Sequence, residues 1–518
     1  MPRVARSVDE EEEAFNACIQ RIEEWWRSPK QAHLKRPYTA ARVAGLRSNL
    51  EQKYASSDMA EKLWKQMHEH DAKGTHEMTF GTTDPIIASQ IAKYSQTLYV
   101  SGSLCNSSET YEPGADHADY PWDTVPKVVE KLFRGQQWQD QRQRHYRMLH
   151  SKEERAKMDE WDYLTPIIAD GDMGFGGLTS TVKLTKLFVE SGVAMFHLDD
   201  LAIGCKKFTT GEGRTVIPLS EYEDRLIAAR LQIDIMGAET LLCGRCDIDD
   251  SEYITNVTDP RDHEYIQGAT VPIESLEKVL RAASAAGKSV LSARKQWISD
   301  SGLSTFDEAV QKVANETEFA AYKAKLGEQT VPIEQRRVIA EATVSKPVFF
   351  DWDLARIRGG QYFYKTCVKA MIERAVAVAP LTDVTWGRMD APKWEKIEKF
   401  HQGMRAIIPD RLFLFGYTGQ YDYAKAGFTE EMVKNMGVEM AKMGVVWQVQ
   451  PVWAAQGMNM VVDEFAKMWA EEGIAAYVEK VQKPALAMSP NPDGFGKTSY
   501  RGAHFADGLY DAIVSRDY

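Results

Sequence analysis

The chain has 518 residues, a formal net charge of −12 and a pI near 5.6. An acidic surface disfavours nucleic acid as a partner, and no apolar run is long enough to cross a membrane. Six cysteines are too few for a disulfide framework in a chain of this length, so we expect a cytoplasmic protein with reduced thiols.

The first part of the chain, residues 1–95, is predicted to be an N-terminal helical region. Apolar residues recur at helical spacing over 9–27, and the sequence to residue 70 is helical and polar. A short strand over 98–100 then leads into Ser101, Gly102 and Ser103. The long polar loop that follows, residues 104–123, contains Asp116. Loops of this length inside a compact domain are usually functional.

The most informative segment, residues 163–218, has the pattern of a βαβ unit. An apolar strand over 165–169 ends at Asp170 and Asp172, a helix covers 178–191, and a second strand over 193–198 ends at Asp199. Carboxylates at the carboxyl ends of parallel strands meet at one rim, where a Mg²⁺ ion would relieve their repulsion. The alternative is that these aspartates are ordinary turn residues.

A third apolar run ends at Arg245, and strands alternate with helices again from residue 362 to residue 449. Seven apolar strand candidates favour an α/β fold of the (β/α)8 TIM-type barrel class over a doubly wound sheet. We predict the barrel over 96–250 and 346–455, an inserted helical subdomain over 251–345, and a C-terminal helical extension over 456–518. The glycines at 174–177 lack the spacing of a nucleotide-binding loop, which disfavours NAD and ATP.

Short segments along nearly the whole chain resemble eukaryotic-type isocitrate lyase, of the isocitrate lyase and phosphoenolpyruvate mutase superfamily. They are Trp25-Trp26, Lys35-Arg36-Pro37, Tyr99-Val-Ser-Gly102, Asp119-Tyr-Pro-Trp-Asp-Thr-Val-Pro126, Pro166-Ile-Ile-Ala-Asp170, Gly176-Gly-Leu-Thr179, Lys183-Leu-Thr-Lys-Leu-Phe-Val-Glu190, Asp259-Pro-Arg-Asp-His263, Val446-Trp-Gln448 and Ala476-Tyr-Val-Glu-Lys-Val-Gln482.

The resemblance implies a Mg²⁺ site, with Mn²⁺ as an alternative, and a grip for a 2-oxo acid. The metal-associated positions are Asp170, Asp172, Asp199 and Asp116. Ser101, Gly102 and Ser103 would surround the oxo acid, and Arg245 would bind its carboxylate as a bidentate partner. His197 matches a site histidine and could equally be a packed core residue. This half of the site matches the family.

The other half departs from the family. The lyases of the family carry a Lys-Lys-Cys-Gly-His loop whose cysteine gives a proton to the departing enolate, and here the text is Lys206-Lys207-Phe208-Thr209-Thr210. Phenylalanine cannot transfer a proton. The proton would come from water, from Tyr417 or Tyr421, from the substrate, or from Cys205 after a shift of the loop.

Further changes fall on the side that would recognise the second product. Where the family has Asn-x-Ser-Pro-Ser, this sequence has Gly416-Tyr417-Thr418-Gly419-Gln420. Arg388 replaces a glutamate of the family, and Ser103 replaces a tryptophan. We expect the substrate to contact Phe208, Thr209, Thr210, Arg388, Thr418 and Gln420, and we expect Arg245, His197 and Tyr417 to be catalytic.

We therefore predict a divergent, Mg²⁺-dependent carbon–carbon lyase that acts on a 2-hydroxy or 2-oxo acid other than isocitrate. Neither isocitrate nor 2-methylisocitrate is expected as substrate, because cleavage of both uses the missing cysteine. Hydrolysis of a carbon–carbon bond in an oxaloacetate-like acid, or a noncatalytic role, remain the alternatives. The partner is a small carboxylic acid, with no nucleic acid or membrane, and the resemblance implies a homotetramer.

Overall fold

This computed structural model describes residues 6–205, 213–249, 251–389, 391, 393–419, 421–487 and 503–515. The chain begins with helices, as predicted. Ser7 and Glu10 form a capping box that fixes the start of the first one. The helices are α1 (Val8–Trp26), α2 (Ala40–Leu46) and α3 (Ala55–Lys73).

A strand that the sequence analysis did not predict follows within the segment assigned to helices. It is short and only partly buried, so its apolar pattern is weak. The elements here are β1 (Glu77–Phe80), α4 (Pro85–Ile91) and β2 (Leu98–Val100).

The predicted βαβ unit is confirmed, and its helix has the predicted bounds. Part of the long polar loop is helical, because Ser101 caps a short helix. The elements are α5 (Gly102–Ser108), α6 (Thr124–Met148), α7 (Lys152–Arg155), β3 (Ile167–Asp170), α8 (Leu178–Ser191), β4 (Met195–Asp199), β5 (Thr215–Val216), α9 (Leu219–Met236) and β6 (Leu241–Cys246).

The region predicted as an insertion contains helices and short strands around apolar clusters of its own. Its elements are β7 (Tyr253–Ile254), β8 (Gln267–Gly268), α10 (Leu276–Ala285), α11 (Val290–Ser301), β9 (Ser304–Thr305), α12 (Phe306–Val313), α13 (Glu316–Leu326) and α14 (Ile333–Thr343). The strand β10 (Tyr362–Phe363) follows, within the segment predicted as the second part of the barrel. A small sheet in the order β10, β7, β5 ties the insertion to the chain before α9.

After the insertion, strands and helices alternate again, and the chain ends in a helical extension. The helical extension predicted over 456–518 is interrupted at Gly473, which has a φ of 62° that favours glycine. The elements are α15 (Val368–Val378), β11 (Val384–Gly387), α16 (Trp394–Ile407), β12 (Phe413–Gly416), α17 (Glu430–Ala441), β13 (Val445–Gln450), α18 (Asn459–Glu472), α19 (Ile474–Tyr477), α20 (Lys483–Ala487) and α21 (Ala503–Val514).

Eight parallel strands form one sheet in the order β1, β13, β12, β11, β6, β4, β3, β2. A parallel bridge between Gly81 and Tyr99 joins its two ends. The (β/α)8 barrel is thus confirmed, with β1 as the strand missing from the sequence prediction. No helix in the described part of the chain is long and apolar enough to cross a bilayer.

Alternate side chains of the strands point into the barrel. The rings of Tyr99, Trp386 and Trp447 meet there, with centroids 5.8 to 6.2 Å apart. On the other face of β4, Phe196 stacks on Phe188 of α8 at 4.9 Å. This alternation decides which residues beyond each strand reach the mouth of the barrel.

Candidate active site

Two aspartates meet at the carboxyl end of β3, around the backbone of Gly102. The Gly102 N–H donates to Asp170 Oδ2 at 3.2 Å, and the Asp172 N–H donates to Asp170 Oδ1 at 3.0 Å. A Cβ on Gly102 would overlap both Asp172 Oδ2 and the Tyr120 hydroxyl. Only glycine therefore fits between these groups.

Asp172 occupies a strained turn, with a φ of 45°. Its carboxylate accepts a hydrogen bond from the Tyr120 hydroxyl, and its carbonyl accepts the Asp199 N–H at 2.8 Å. Burial raises the pKa of the Tyr120 hydroxyl well above its usual value, and the neighbouring carboxylates raise it further. Tyr120 therefore stays protonated, and its hydroxyl holds the Asp172 carboxylate in place by donating a hydrogen bond to it.

Asp199 and His197, both on β4, lie beside this pair and are fully buried. His197 Nε2 is 2.9 Å from the Tyr99 hydroxyl, and His197 Nδ1 is 3.5 Å from Asp170 Oδ1. The Asp199 carboxylate accepts the N–H of Leu201 at 3.3 Å. His197 thus connects the interior aromatic layer to Asp170.

Arg245, at the end of β6, is held by an aspartate that the sequence analysis left without a role. Arg245 Nε donates to Asp247 Oδ1 at 2.6 Å and Nη2 donates to Asp247 Oδ2 at 2.8 Å. The third nitrogen, Nη1, lies 3.9 Å from Asp170 Oδ2. Asp247 lies just beyond β6, two residues after Arg245, and this spacing places two side chains on the same side of an extended chain, which is the signal that could have predicted the pair.

Burial alone would lower the pKa of the Arg245 guanidinium, but Asp247 and Asp170 raise it well above its usual value. Arg245 is thus a permanent cation inside the barrel. Its Cζ lies 5.0 Å from the centre of the Trp386 ring. This arrangement fixes the plane of the guanidinium as well as its position.

Arg388 also reaches this cluster, because it lies two residues beyond the inward-pointing Trp386. Its Nη1 is 3.8 Å from Asp247 Oδ2, and only 8% of the residue is exposed. The Asp247 N–H donates to Asp200 Oδ1 at 2.8 Å, and Asp200 Oδ2 accepts from Arg374 Nε at 3.0 Å. Burial raises the pKa of Asp200, while Arg374 opposes that rise.

Two predicted site residues on the β12 side have other contacts. The Tyr417 hydroxyl donates to Gln448 Oε1 at 2.5 Å, and Gln448 Nε2 donates to the Gly437 carbonyl in α17 at 2.9 Å. Tyr417 therefore faces the helix layer outside the barrel, because Gly416 occupies the inward position. Thr418 Oγ1 donates to the carbonyl of Met389 at 3.3 Å.

The residues predicted around the oxo acid lie near Gly102. Ser101 Oγ accepts the Leu104 N–H at 3.5 Å as the cap of α5, and Ser103 Oγ is 2.7 Å from His117 Nδ1. Asp116 Oδ1 accepts the Ala118 N–H at 3.1 Å, within the loop after α5. The predicted contacts Phe208, Thr209, Thr210 and Gln420 lie outside the described residues.

The carboxylates have the donor chemistry of a Mg²⁺ site of the open kind. Among the residues that the structure describes, no three His, Cys, Asp or Glu side chains are grouped closely enough to hold a metal ion. Mg²⁺ usually binds to one or two carboxylates and keeps several waters. The pair Asp170 and Asp172 fits such an ion, whereas a cage made only of protein ligands does not fit.

The family follows from comparison with known proteins. Residues 18–515 match the model of the isocitrate lyase family. The chain belongs to the isocitrate lyase family. The barrel is of the class that the resemblance implies.

Relatives are similar over almost their whole length. A protein of Schizosaccharomyces pombe named mitochondrial 2-methylisocitrate lyase is 51% identical over 512 residues, which cover 98% of each chain. Isocitrate lyase of Oryza sativa subsp. japonica is 40% identical, covering 98% of this chain and 91% of the relative. A solved structure of oxaloacetate acetylhydrolase is 14% identical with a TM-score of 0.45, covering 88% of this chain and 99% of that one.

Proposed function

We propose that this protein is a carbon–carbon lyase that acts on a 2-hydroxy acid other than isocitrate, with 2-methylisocitrate as the first candidate substrate. The observation that carries the proposal is the Arg245 guanidinium, forked onto Asp247 with its remaining nitrogen toward Asp170. A buried cation with a fixed plane, beside two carboxylates suited to a metal, is equipped to orient an α-oxygenated carboxylic acid.

The choice of substrate rests on the name of the 51% identical relative and on the small side chain at position 103. Ser103 is much smaller than the tryptophan that the resemblance leads one to expect, so an additional methyl group on the hydroxyl-bearing carbon can be accommodated there. This substrate differs from the sequence expectation, which excluded 2-methylisocitrate because of Phe208, a residue outside the described part of the chain.

In the proposed reaction the substrate hydroxyl loses a proton to water, and the bond between its carbon and the neighbouring carbon breaks. The hydroxyl oxygen becomes the carbonyl oxygen of a 2-oxo acid, and the leaving carbon takes the electron pair and then a proton. Arg245 would bind the carboxylate of the oxo acid half and stabilise the charge that develops there. His197, between Tyr99 and Asp170, would hold Asp170 in place.

Asp170 and Asp172 would hold Mg²⁺, or Mn²⁺ in its place, and the bound ion would supply positive charge for the substrate oxygens. Tyr417 is not proposed as the proton donor, because its hydroxyl is engaged with Gln448 on the outside of the barrel. Water is the proposed donor in its place. Proton delivery from water is compatible with the loss of the family cysteine.

The test is product identification by mass spectrometry after incubation with Mg²⁺ and separate 2-hydroxy acids. Release of pyruvate and succinate from 2-methylisocitrate supports the proposal. Release of oxalate and acetate from oxaloacetate would indicate the hydrolase instead. No product from any acid, with no thermal stabilisation by Mg²⁺ plus glyoxylate, pyruvate or oxalate, would indicate the noncatalytic role.

A homotetramer is the proposed assembly, and the surface of α18 supports it. This helix buries none of its residues, and the apolar side chains of Met460, Val461 and Val462 are 74%, 65% and 57% exposed. An exposed helix with large apolar side chains usually contacts another chain. Light scattering coupled to gel filtration should give the mass of four chains, and Val461→Glu should reduce the number of chains in the assembly.

The compartment is proposed to be the cytosol, as the sequence analysis predicts. The relatives from Schizosaccharomyces pombe and Hypocrea atroviridis are both named mitochondrial. Fractionation of cells that express the tagged chain distinguishes the two compartments.

A further inference from the structure

The indole N–H of Trp386 is buried in the barrel without a hydrogen-bond acceptor among the residues that the structure describes. Only 2% of this residue is exposed. The N–H of Trp447, in the same aromatic layer, donates to Thr97 Oγ1 at 2.8 Å. Buried indole N–H groups usually have an acceptor, and the described part of the chain offers none for the Trp386 donor, which is therefore available to a bound molecule.

The surroundings of the Trp386 ring indicate the charge of that acceptor. The Arg245 guanidinium lies 5.0 Å from the ring centre, and the His197 ring lies 4.9 Å away. Arg388 follows two residues later on the same face of the chain, within 3.8 Å of Asp247. An indole N–H donates only, and two arginines nearby favour an anion, so the matching group is a carboxylate oxygen.

Gly416 on β12 determines where the indole can lie. A Cβ at this position would overlap Trp386 Cζ2 and would come within 3.4 Å of Cε2, the ring carbon bonded to Nε1. The missing side chain therefore lets the benzene-ring edge of the indole, which adjoins Nε1, lie against the neighbouring strand. Any larger residue at position 416 would displace that edge.

We propose that Trp386 is a specificity-determining residue whose Nε1–H donates to a carboxylate of the bound acid, from the place that the indole occupies against Gly416. The inference rests on the proposed function, because it assigns a donor to the part of the substrate that departs as the second product. That product is succinate in the proposed reaction. Arg388 provides charge, since Arg245 is assigned to the oxo acid half, and the indole provides a directed hydrogen bond.

The test is calorimetric titration of the full-length protein with succinate in the presence of Mg²⁺. Trp386→Phe keeps the aromatic ring and removes the donor, and should weaken succinate binding about 10-fold, with KM raised more than kcat is lowered. Trp447→Phe is the matched control, because it removes an interior indole whose N–H is already paired. It should lower stability and leave succinate binding unchanged.

The wild type provides a second measurement that needs no variant. In ultraviolet resonance Raman difference spectra, succinate should shift the indole band that reports hydrogen bonding. Equal succinate affinity of Trp386→Phe and the wild type, or no binding of succinate by the wild type, would overturn the inference. Neither result would overturn the proposed function, which depends on turnover and its products.

Discussion

Asp247 holds Arg245 by two parallel hydrogen bonds, from Nε at 2.6 Å and from Nη2 at 2.8 Å. A bidentate pair of this kind fixes both the position and the plane of the guanidinium. Arg388 Nη1 also lies 3.8 Å from Asp247 Oδ2, so one carboxylate contacts both buried arginines of the candidate site. The grip on the substrate carboxylate therefore depends on a residue that is not expected to contact the substrate.

Asp247→Asn should lower kcat/KM about 100-fold, because the amide cannot accept both guanidinium bonds and leaves buried charge unpaired. Steady-state kinetics with the active acid would measure this. Asp249→Asn is the control, since Asp249 lies two residues further along and pairs with Lys396. Equal effects of the two substitutions would mean that loss of charge at this rim, rather than the Arg245 fork, limits the rate.

Gly102→Ala should reduce kcat/KM by about 100-fold with little loss of secondary structure. The new methyl group would overlap the Tyr120 hydroxyl and Asp172 Oδ2, and a displacement near one ångström is costly in a catalytic site. Kinetics together with circular dichroism would test this. Gly177→Ala is a suitable control, because a Cβ there meets no atom within 4 Å. Full activity of Gly102→Ala would show that the carboxylate pair tolerates separation.

Asp170→Ala should abolish turnover and also the thermal stabilisation by Mg²⁺ plus oxalate. Asp170 accepts from Gly102 and from Asp172 and is one of the two proposed metal-binding carboxylates. Cys205→Ser should leave turnover unchanged, because water is the proposed proton donor. If Cys205→Ser were as damaging as Asp170→Ala, Cys205 would be the relocated acid.

Tyr417→Phe should leave kcat/KM unchanged. Burial raises the pKa of the Tyr417 hydroxyl, and this hydroxyl donates to Gln448 outside the barrel. Loss of a general acid would instead cost about 100-fold or more. A loss of that size, measured in a folded variant, would return Tyr417 to the catalytic set.

The assignment of Tyr417 shows where sequence reasoning was insufficient. The resemblance to the family correctly located the segment after β12. Side chains alternate along a strand, however, so a shift of one residue moves a side chain from the barrel interior to the helix layer. Gly416 takes the inward position here, and its lack of a side chain leaves that space to Trp386. The contact between two strands distant in sequence could not be predicted from either one.

The barrel itself was largely predictable, because buried parallel strands are apolar and their helices are amphipathic. The helix α8 has the predicted bounds. The strand β1 was missed because it carries an exposed residue and depends on pairing with β13, more than 360 residues away. Non-local pairing of this kind leaves little trace in local sequence.

His401 should make the protein less stable in acid. Burial lowers its pKa from 6.5 to about 4, so below pH 6.5 the unfolded chain binds a proton that the folded protein rejects, and stability falls as pH drops toward 4. Between pH 7.5 and pH 5 the free energy of unfolding should therefore fall by about 2 kcal/mol less in His401→Phe than in the wild type. Denaturant midpoints at the two pH values would measure this, and parallel losses would contradict it.

The central claim is that the oxo acid half of a lyase site is retained and serves a substrate other than isocitrate. The most direct measurement is the ratio of kcat/KM for 2-methylisocitrate to kcat/KM for isocitrate, with Mg²⁺ present and products identified. We predict a ratio of at least about 10, because one methyl group in a matched pocket has an effect of that order. A ratio of one or less, with isocitrate cleaved efficiently, would contradict the account.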